Sequence, residues 1–212
     1  MMKEMKKIKW NILMITCVIT LSPILFGLSV WNQLPDQIAI HFNINNQPDN
    51  YATKAFAVFG LPVIMVAFQM FCCLMTDFGV QRYSGNKKME LLSKWMIPAV
   101  TVVLYFVTLG YSMGWAIDIR RVAVCIVGIM FVTLGNYLPK LSYVKHYNFE
   151  PEVAKKINRF TGFGMVIMGV LGLLSILLPA EASVVWLILL IPFGVASAVY
   201  TIYVSRKHQK RS

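Results

Sequence analysis

Six apolar stretches, each about the length a helix needs to cross a hydrocarbon core of about 30 Å, constrain this chain more than any other feature. They run from about Trp10 to Trp31, Ala55 to Thr76, Leu92 to Trp115, Val122 to Leu138, Phe160 to Leu178 and Val184 to Val204. Within these cores the only ionisable side chain of the Asp, Glu, Lys, Arg or His type is Lys94, at the edge of the third. Charged residues make up 14% of the chain and apolar ones 58%, against roughly 25% charged for a soluble domain. The expected fold is all-α: a polytopic six-helix membrane bundle in one domain, its surface facing lipid.

The net charge of +11 raises the question of nucleic acid. Its distribution answers differently, because the basic residues cluster in the connections, where they suit anionic lipid head groups. Lys3, Lys6, Lys7 and Lys9 precede the first stretch, and Arg82, Lys87, Lys88 and Lys94 follow the second. Lys140, Lys145, Lys155, Lys156 and Arg159 follow the fourth, and Arg206, Lys207, Lys210 and Arg211 follow the sixth. Of the 20 basic residues, this leaves Lys54, Arg120 and Arg121 for the other face. The excess places both termini in the cytoplasm, and an even number of spans independently requires that they share a side. The expected location is a cell membrane, with no direct binding of nucleic acid. The first stretch is longer than a signal-peptide core and ends on Trp31, an interfacial anchor, so it reads as a retained helix.

Cys17, Cys72, Cys73 and Cys125 all fall inside apolar runs without metal-type spacing, and read as small packing residues. Pro23, Pro62, Pro98 and Pro192 lie in or near the helices, where neighbouring helices compensate freed carbonyls. Gly110 and Gly114 form a small-xxx-small pair, a candidate for close helix contact.

Two connections are long enough to carry function: an outer one over 32–54 and an inner one over 139–159. In the outer loop, Gln37 to Phe42 alternates in the manner of a short extended segment, and Asn43 to Asn50 is rich in turn formers. Pro48-Asp49 is expected to continue into the second helix. His41, Asn43, Asp49 and Lys54 are the candidate recognition groups there; the other reading is a folded cap whose polar groups satisfy turns. A lone His41 with Asp49 is not a metal signature. In the inner loop, Tyr137, Tyr143, Lys145, His146, Tyr147, Phe149 and Lys155 mix aromatic and basic groups. That mixture fits a docking site for a cytoplasmic partner, and equally an interfacial segment at head-group depth.

Leu34-Pro35-x-x-Ile38-x-x-His41-Phe42-Asn43, followed by Asp49 and Lys54, resembles the N-terminal signature LPxxIPxHFNxxGxxDxxxxK of the SdpI-type bacterial membrane proteins. Leu134-Gly135-Asn136-Tyr137-Leu138-Pro139-Lys140 resembles their second landmark, and Ile157-Asn158-Arg159-Phe160 their third. The resemblance implies immunity to a secreted, membrane-active killing peptide, with signalling through a transcriptional repressor held at the membrane. It marks Pro35, His41, Phe42, Asn43, Asp49 and Lys54 as candidate outer recognition residues. It marks Asn136, Pro139, Lys140, Asn158 and Arg159 as candidate inner contacts. Ala39 stands where the family has a second proline, and Asn46 where it has glycine. The family's GIRTPWT-like cytoplasmic tract is missing, so the signalling role is the part of the resemblance that this chain supports least.

Three other function classes were weighed. No HExxH, P-loop or GxSxG motif is present, and no converging catalytic set of the kind an enzyme needs is visible. A metal or other cofactor is not implied. Charge-free cores argue against an ion-coupled pump. Gln69, Thr101, Thr108 and Asn136 leave open a transporter-like protein for a neutral solute, and a structural envelope protein is the remaining alternative.

Overall fold

The computed structural model describes residues 8–79, 83–84, 87–143 and 151–209. The chain is an all-α polytopic membrane protein, with six helical stretches long and apolar enough to span: Trp10–Ser29, Phe56–Phe78, Lys87–Ser112, Ile119–Lys140, Pro151–Ser175 and Glu181–His208. Between 11% and 28% of each apolar window is buried, so most of each helix presents Leu, Ile, Val and Phe outward, as lipid requires. The chain forms two compact units, Met1–Gly79 with Glu90–Ile119, and Val80–Met89 with Arg120–Ser212.

In the first unit the opening span is two helices, α1 (Trp10–Leu21) and α2 (Pro23–Ser29). A 3-10 turn at Trp31–Gln33 leads to the hairpin strands β1 (Gln37–Phe42) and β2 (Pro48–Thr53). A π-turn at Phe56–Gly60 opens α3 (Leu61–Gly79), and α4 (Lys87–Ser112) completes the unit. Three prolines explain much of its internal bonding. Each lacks an N–H and so leaves the carbonyl four residues earlier without its helical donor. Ser22 Oγ donates to Ile19 O (2.9 Å) in place of Pro23. Tyr105 Oη donates to Val58 O (3.3 Å) in place of Pro62. Gln69 Nε2 donates to Lys94 O (2.8 Å) in place of Pro98. Two of these three bonds join different spans, so the prolines fix helix pairing.

β1 and β2 pair antiparallel, from Gln37 opposite Thr53 to Phe42 opposite Pro48, with irregular register around His41. The second strand departs from the sequence expectation that Pro48-Asp49 runs on into a helix. Pro48–Thr53 has no apolar alternation to read; its extended form comes from pairing with β1. Thr53 Oγ1 then accepts the Phe56 N–H (3.3 Å), and the helical backbone starts at Lys54, directly after the strand, rather than at Pro48. The hairpin base packs into the unit's core, where Leu34 and Ile38 join Ala57, Val58, Tyr105 and Leu109.

At the Gly110–Gly114 pair the nearest neighbours among the described residues are not another helix. Gly110 packs against the ring of Trp115, and Gly114 lies beyond the helix end with φ +88 and open space where a side chain would be. The chain turns there, and glycine supplies the left-handed residue.

The second unit contains α5 (Ile119–Tyr137) from Arg120 onward, a 3-10 turn at Leu138–Lys140, α6 (Pro151–Ser175) and α7 (Ala180–Gln209). A two-residue ladder pairs β3 (Tyr83–Ser84) with β4 (Ser142–Tyr143). Here close glycine contact does occur. A Cβ on Gly135 would sit 2.6 Å from Gly162 O, and one on Gly169 would sit 2.7 Å from Gly128 O. Two glycines seven residues apart on each helix meet in antiparallel order, letting the backbones touch. The α6–α7 pair is tied by the Trp186 Nε1–H, which donates to Met168 O (2.7 Å), and by stacked Phe160 and Tyr200 rings. α6 starts at Pro151, where Pro151 and Glu152 supply a favourable first turn and extend the helix ahead of its apolar run at Phe160.

Candidate functional site

The hairpin tip is built by two asparagines. Asn43 Oδ1 accepts the N–H groups of Asn45 (2.9 Å) and Gln47 (3.1 Å), an Asx arrangement that closes the turn. Asn46 takes the left-handed backbone, φ 58, and its Oδ1 accepts the Ile119 N–H (2.9 Å), tying the tip to the start of α5. Asn at this position therefore does two jobs that glycine cannot combine. Asn46→Gly is expected to keep the turn and lose the tie, costing about 1 kcal/mol; Asn46→Ala adds left-handed strain of about 1–2 kcal/mol. Thermal unfolding in detergent measures both, and equal losses would remove the strain argument.

Lys54 anchors the hairpin base. Its Nζ donates to Leu34 O (3.1 Å) and Trp31 O (3.5 Å), lies 5.1 Å from the Trp31 ring centroid, and pairs with Asp36 at 3.6 Å. Phe42 packs edge-on against Tyr111, with centroids 4.7 Å apart. Pro35 is exposed just before β1. Asn43, Lys54 and Phe42 thus hold the hairpin in place. His41 and Asp49 are presented outward: His41 Nδ1 lies 2.5 Å from Asp49 Oδ1, with side chains 67% and 42% exposed. Exposed Ile40, Ile44 and Tyr51 belong to the same hairpin, and a cleft of about 360 Å³ lies near its base, lined by Leu28, Trp31, Asn32 and Phe59. No group of three or more His, Cys, Asp or Glu suited to a metal occurs among the described residues.

The other candidate residues lie in the second unit. Lys140 Nζ donates to Asn136 Oδ1 (3.0 Å) and sits over the Tyr137 ring at 5.1 Å. Pro139 lies where a Cβ on Gly162 would meet it, at 2.7 Å. Asn158, one helical turn before Gly162, is half-buried on α6, and Arg159 lies over the Phe163 ring at 5.8 Å. The tract 134–140 is thus first a packing element, in which glycine and proline let α5 and its terminal turn approach α6. Lys145, His146, Tyr147 and Phe149 lie outside the described residues.

Lys94, the one charged residue within the apolar stretches, does not stand alone in the first unit. α3 and α4 extend beyond the apolar stretches and carry Asp77, Glu90 and Lys94 inside the unit, at its end away from the hairpin. Lys94 is 1% exposed, and its Nζ lies 2.5 Å from Asp77 Oδ1 and 3.2 Å from Glu90 Oε1. Lys9 joins them. Its Nζ lies 2.7 Å from Glu90 Oε1 and donates to Oε2 at 2.8 Å, and its backbone N–H donates to Asp77 Oδ2 at 3.3 Å. Above the network, Gln69 is fully buried, donates also to Cys73 Sγ (3.1 Å), and has no hydrogen-bond partner for its Oε1 among the described residues. The helical spacing Gln69–Cys73–Asp77 and Glu90–Lys94–Pro98 carried this information. Because the apolar stretches end at Thr76 and resume at Leu92, Asp77 and Glu90 fall between them in sequence.

The fold therefore defines a polytopic all-α membrane protein with a hairpin-bearing first unit. Residues 18–66 match the model of a domain of unknown function, DUF1648, which occurs in membrane proteins. The match runs from α1 through the hairpin into α3, taking in the whole hairpin and both its helical supports. No curated protein and no solved structure matches the chain significantly.

Proposed function

We propose that this is a membrane-embedded immunity or sensor protein that recognises a secreted, membrane-active peptide through its hairpin. The carrying observation is the contrast within the hairpin between anchored and presented groups. Asn43, Asn46, Phe42 and Lys54 are committed to holding it, while the hydrogen-bonded His41–Asp49 pair is left exposed beside apolar side chains. A fixed polar pair with neighbouring Ile and Tyr suits an amphipathic peptide, since the ordering of the binding surface is met before contact.

In this reading the hairpin lies outside the bacterial cell membrane and both termini lie in the cytoplasm, as the distribution of basic residues supports. The region of Asn136, Pro139, Lys140, Asn158 and Arg159 is then the place for a cytoplasmic partner, a transcriptional repressor in the family that the sequence resembles. Cells deleted for the gene and challenged with secreted antimicrobial peptides are expected to become sensitive. Complementation with the wild type restores resistance; with His41→Ala or Asp49→Ala, about tenfold is lost, the effect of about 1.4 kcal/mol in binding. Unchanged sensitivity throughout would sink this reading. The Lys94 network supports a second one, a transporter-like protein, which predicts a phenotype that the His41 and Asp49 variants leave intact.

A further inference from the structure

We propose that the Asp77–Glu90 pair is a proton-binding site whose proton and whose Lys9 ammonium exclude one another, so that proton uptake releases Ile8 and Lys9 ahead of α1.

Among the described residues the network is balanced as it stands, two ammonium groups against two carboxylates. The four members are not equally fixed. Lys94, Asp77 and Glu90 are 1%, 7% and 9% exposed, whereas the Lys9 side chain is 48% exposed and enters from the edge. Lys9 alone can leave without dismantling a helix. Its departure strands one negative charge among buried groups, because Lys94 alone cannot neutralise two carboxylates. An uncompensated buried charge costs several kcal/mol, and a carboxylate so placed neutralises instead of staying ionised. One proton from bulk water restores the balance: it bonds to a carboxylate oxygen of the pair, and Lys9 takes its own positive charge away.

The reverse exchange returns the proton to water when Lys9 docks. Proton binding and Lys9 binding are thus linked with opposite sign, and acid favours release. Among the described residues, the titratable groups at the network are Lys9 from the start of the first span, Asp77 from α3, and Glu90 and Lys94 from α4, with the thiols of Cys17 and Cys73 nearby. Lys9 meets the network through both its side chain and its backbone N–H, so losing these contacts frees Lys9 and the adjoining Ile8.

The test uses the full chain in phosphatidylcholine nanodiscs, with a spin label on an azide-bearing side chain introduced at position 8, which leaves all four cysteines in place. Collision with a water-soluble relaxant reports release. Going from about pH 8 to about pH 5 is expected to raise the collision rate about tenfold in the wild type. Glu90→Gln, a neutral mimic of the protonated state, is expected to be released at both pH values, as is Lys9→Met, which leaves the buried Lys94–Asp77 contact untouched. Lys9→Arg keeps the response. A wild type indifferent to pH would overturn the proposal. So would a Glu90→Gln or Lys9→Met protein that still responds to acid.

Discussion

Replacing Lys94 with methionine is expected to destabilise the protein by about 3–5 kcal/mol, the largest effect of any single substitution outside the apolar core. The reason is asymmetry. Asp77 and Glu90 remain buried after the change, and the ammonium that lies 2.5 Å from one and 3.2 Å from the other is gone. Lys9 reaches Glu90 only from a half-exposed position and meets Asp77 only through its backbone. The triple variant Lys94→Met, Asp77→Asn, Glu90→Gln removes charge from both sides and is expected to recover most of the loss, because a neutral buried set costs far less than an unpaired one. Unfolding in detergent with increasing denaturant measures both proteins. A loss below about 1 kcal/mol for Lys94→Met would mean that water reaches the network and screens it.

The second large effect concerns the glycine seam. Gly135→Val is expected to cost about 2–3 kcal/mol, since a Cβ at that position lies 2.6 Å from the Gly162 carbonyl oxygen and 2.9 Å from the Val166 nitrogen. These are backbone atoms, which cannot swing aside as a side chain end does, so α5 and α6 must separate. The separation also moves Pro139 off Gly162, which exposes the 136–140 candidate contact to disturbance without touching its own residues. Gly194→Val makes the control: nothing lies within 4 Å of a Cβ there, and the expected change is under about 0.5 kcal/mol. Equal losses at the two positions would show that close approach is not the cause.

What each level of description contributed follows from the range over which the physics acts. Spanning is a local requirement: about 20 apolar residues must follow one another, so Trp10, Leu92 or Phe160 can be seen to open an apolar run without knowledge of any neighbour. The extended form of Gln37–Phe42 and the turn formed by Asn43 and Asn46 are local in the same way, because alternation and side-chain-to-backbone bonding act within a few residues. The candidate residues His41 and Asp49 were legible for this reason, yet their division of labour with Asn43 and Lys54 was not. Which polar group anchors and which is presented depends on Trp31, Leu34, Tyr111 and Ile119, far away in sequence.

The strand Pro48–Thr53 exists through its partner, and no periodicity of its own announces it. The glycines at 128, 135, 162 and 169 acquire their meaning only when two helices meet backbone to backbone. The charges show the division most sharply. In the sequence, Asp77 and Glu90 flank apolar runs and Lys94 lies at the edge of one, with nothing local to join them. Folding prolongs α3 and α4 past those runs and turns the three residues toward one another. A charge is tolerated away from water when its counter-charge arrives by tertiary contact, so six membrane-crossing helices were determined by the sequence alone. The ionised interior of the first unit was decided by the packing of those helices.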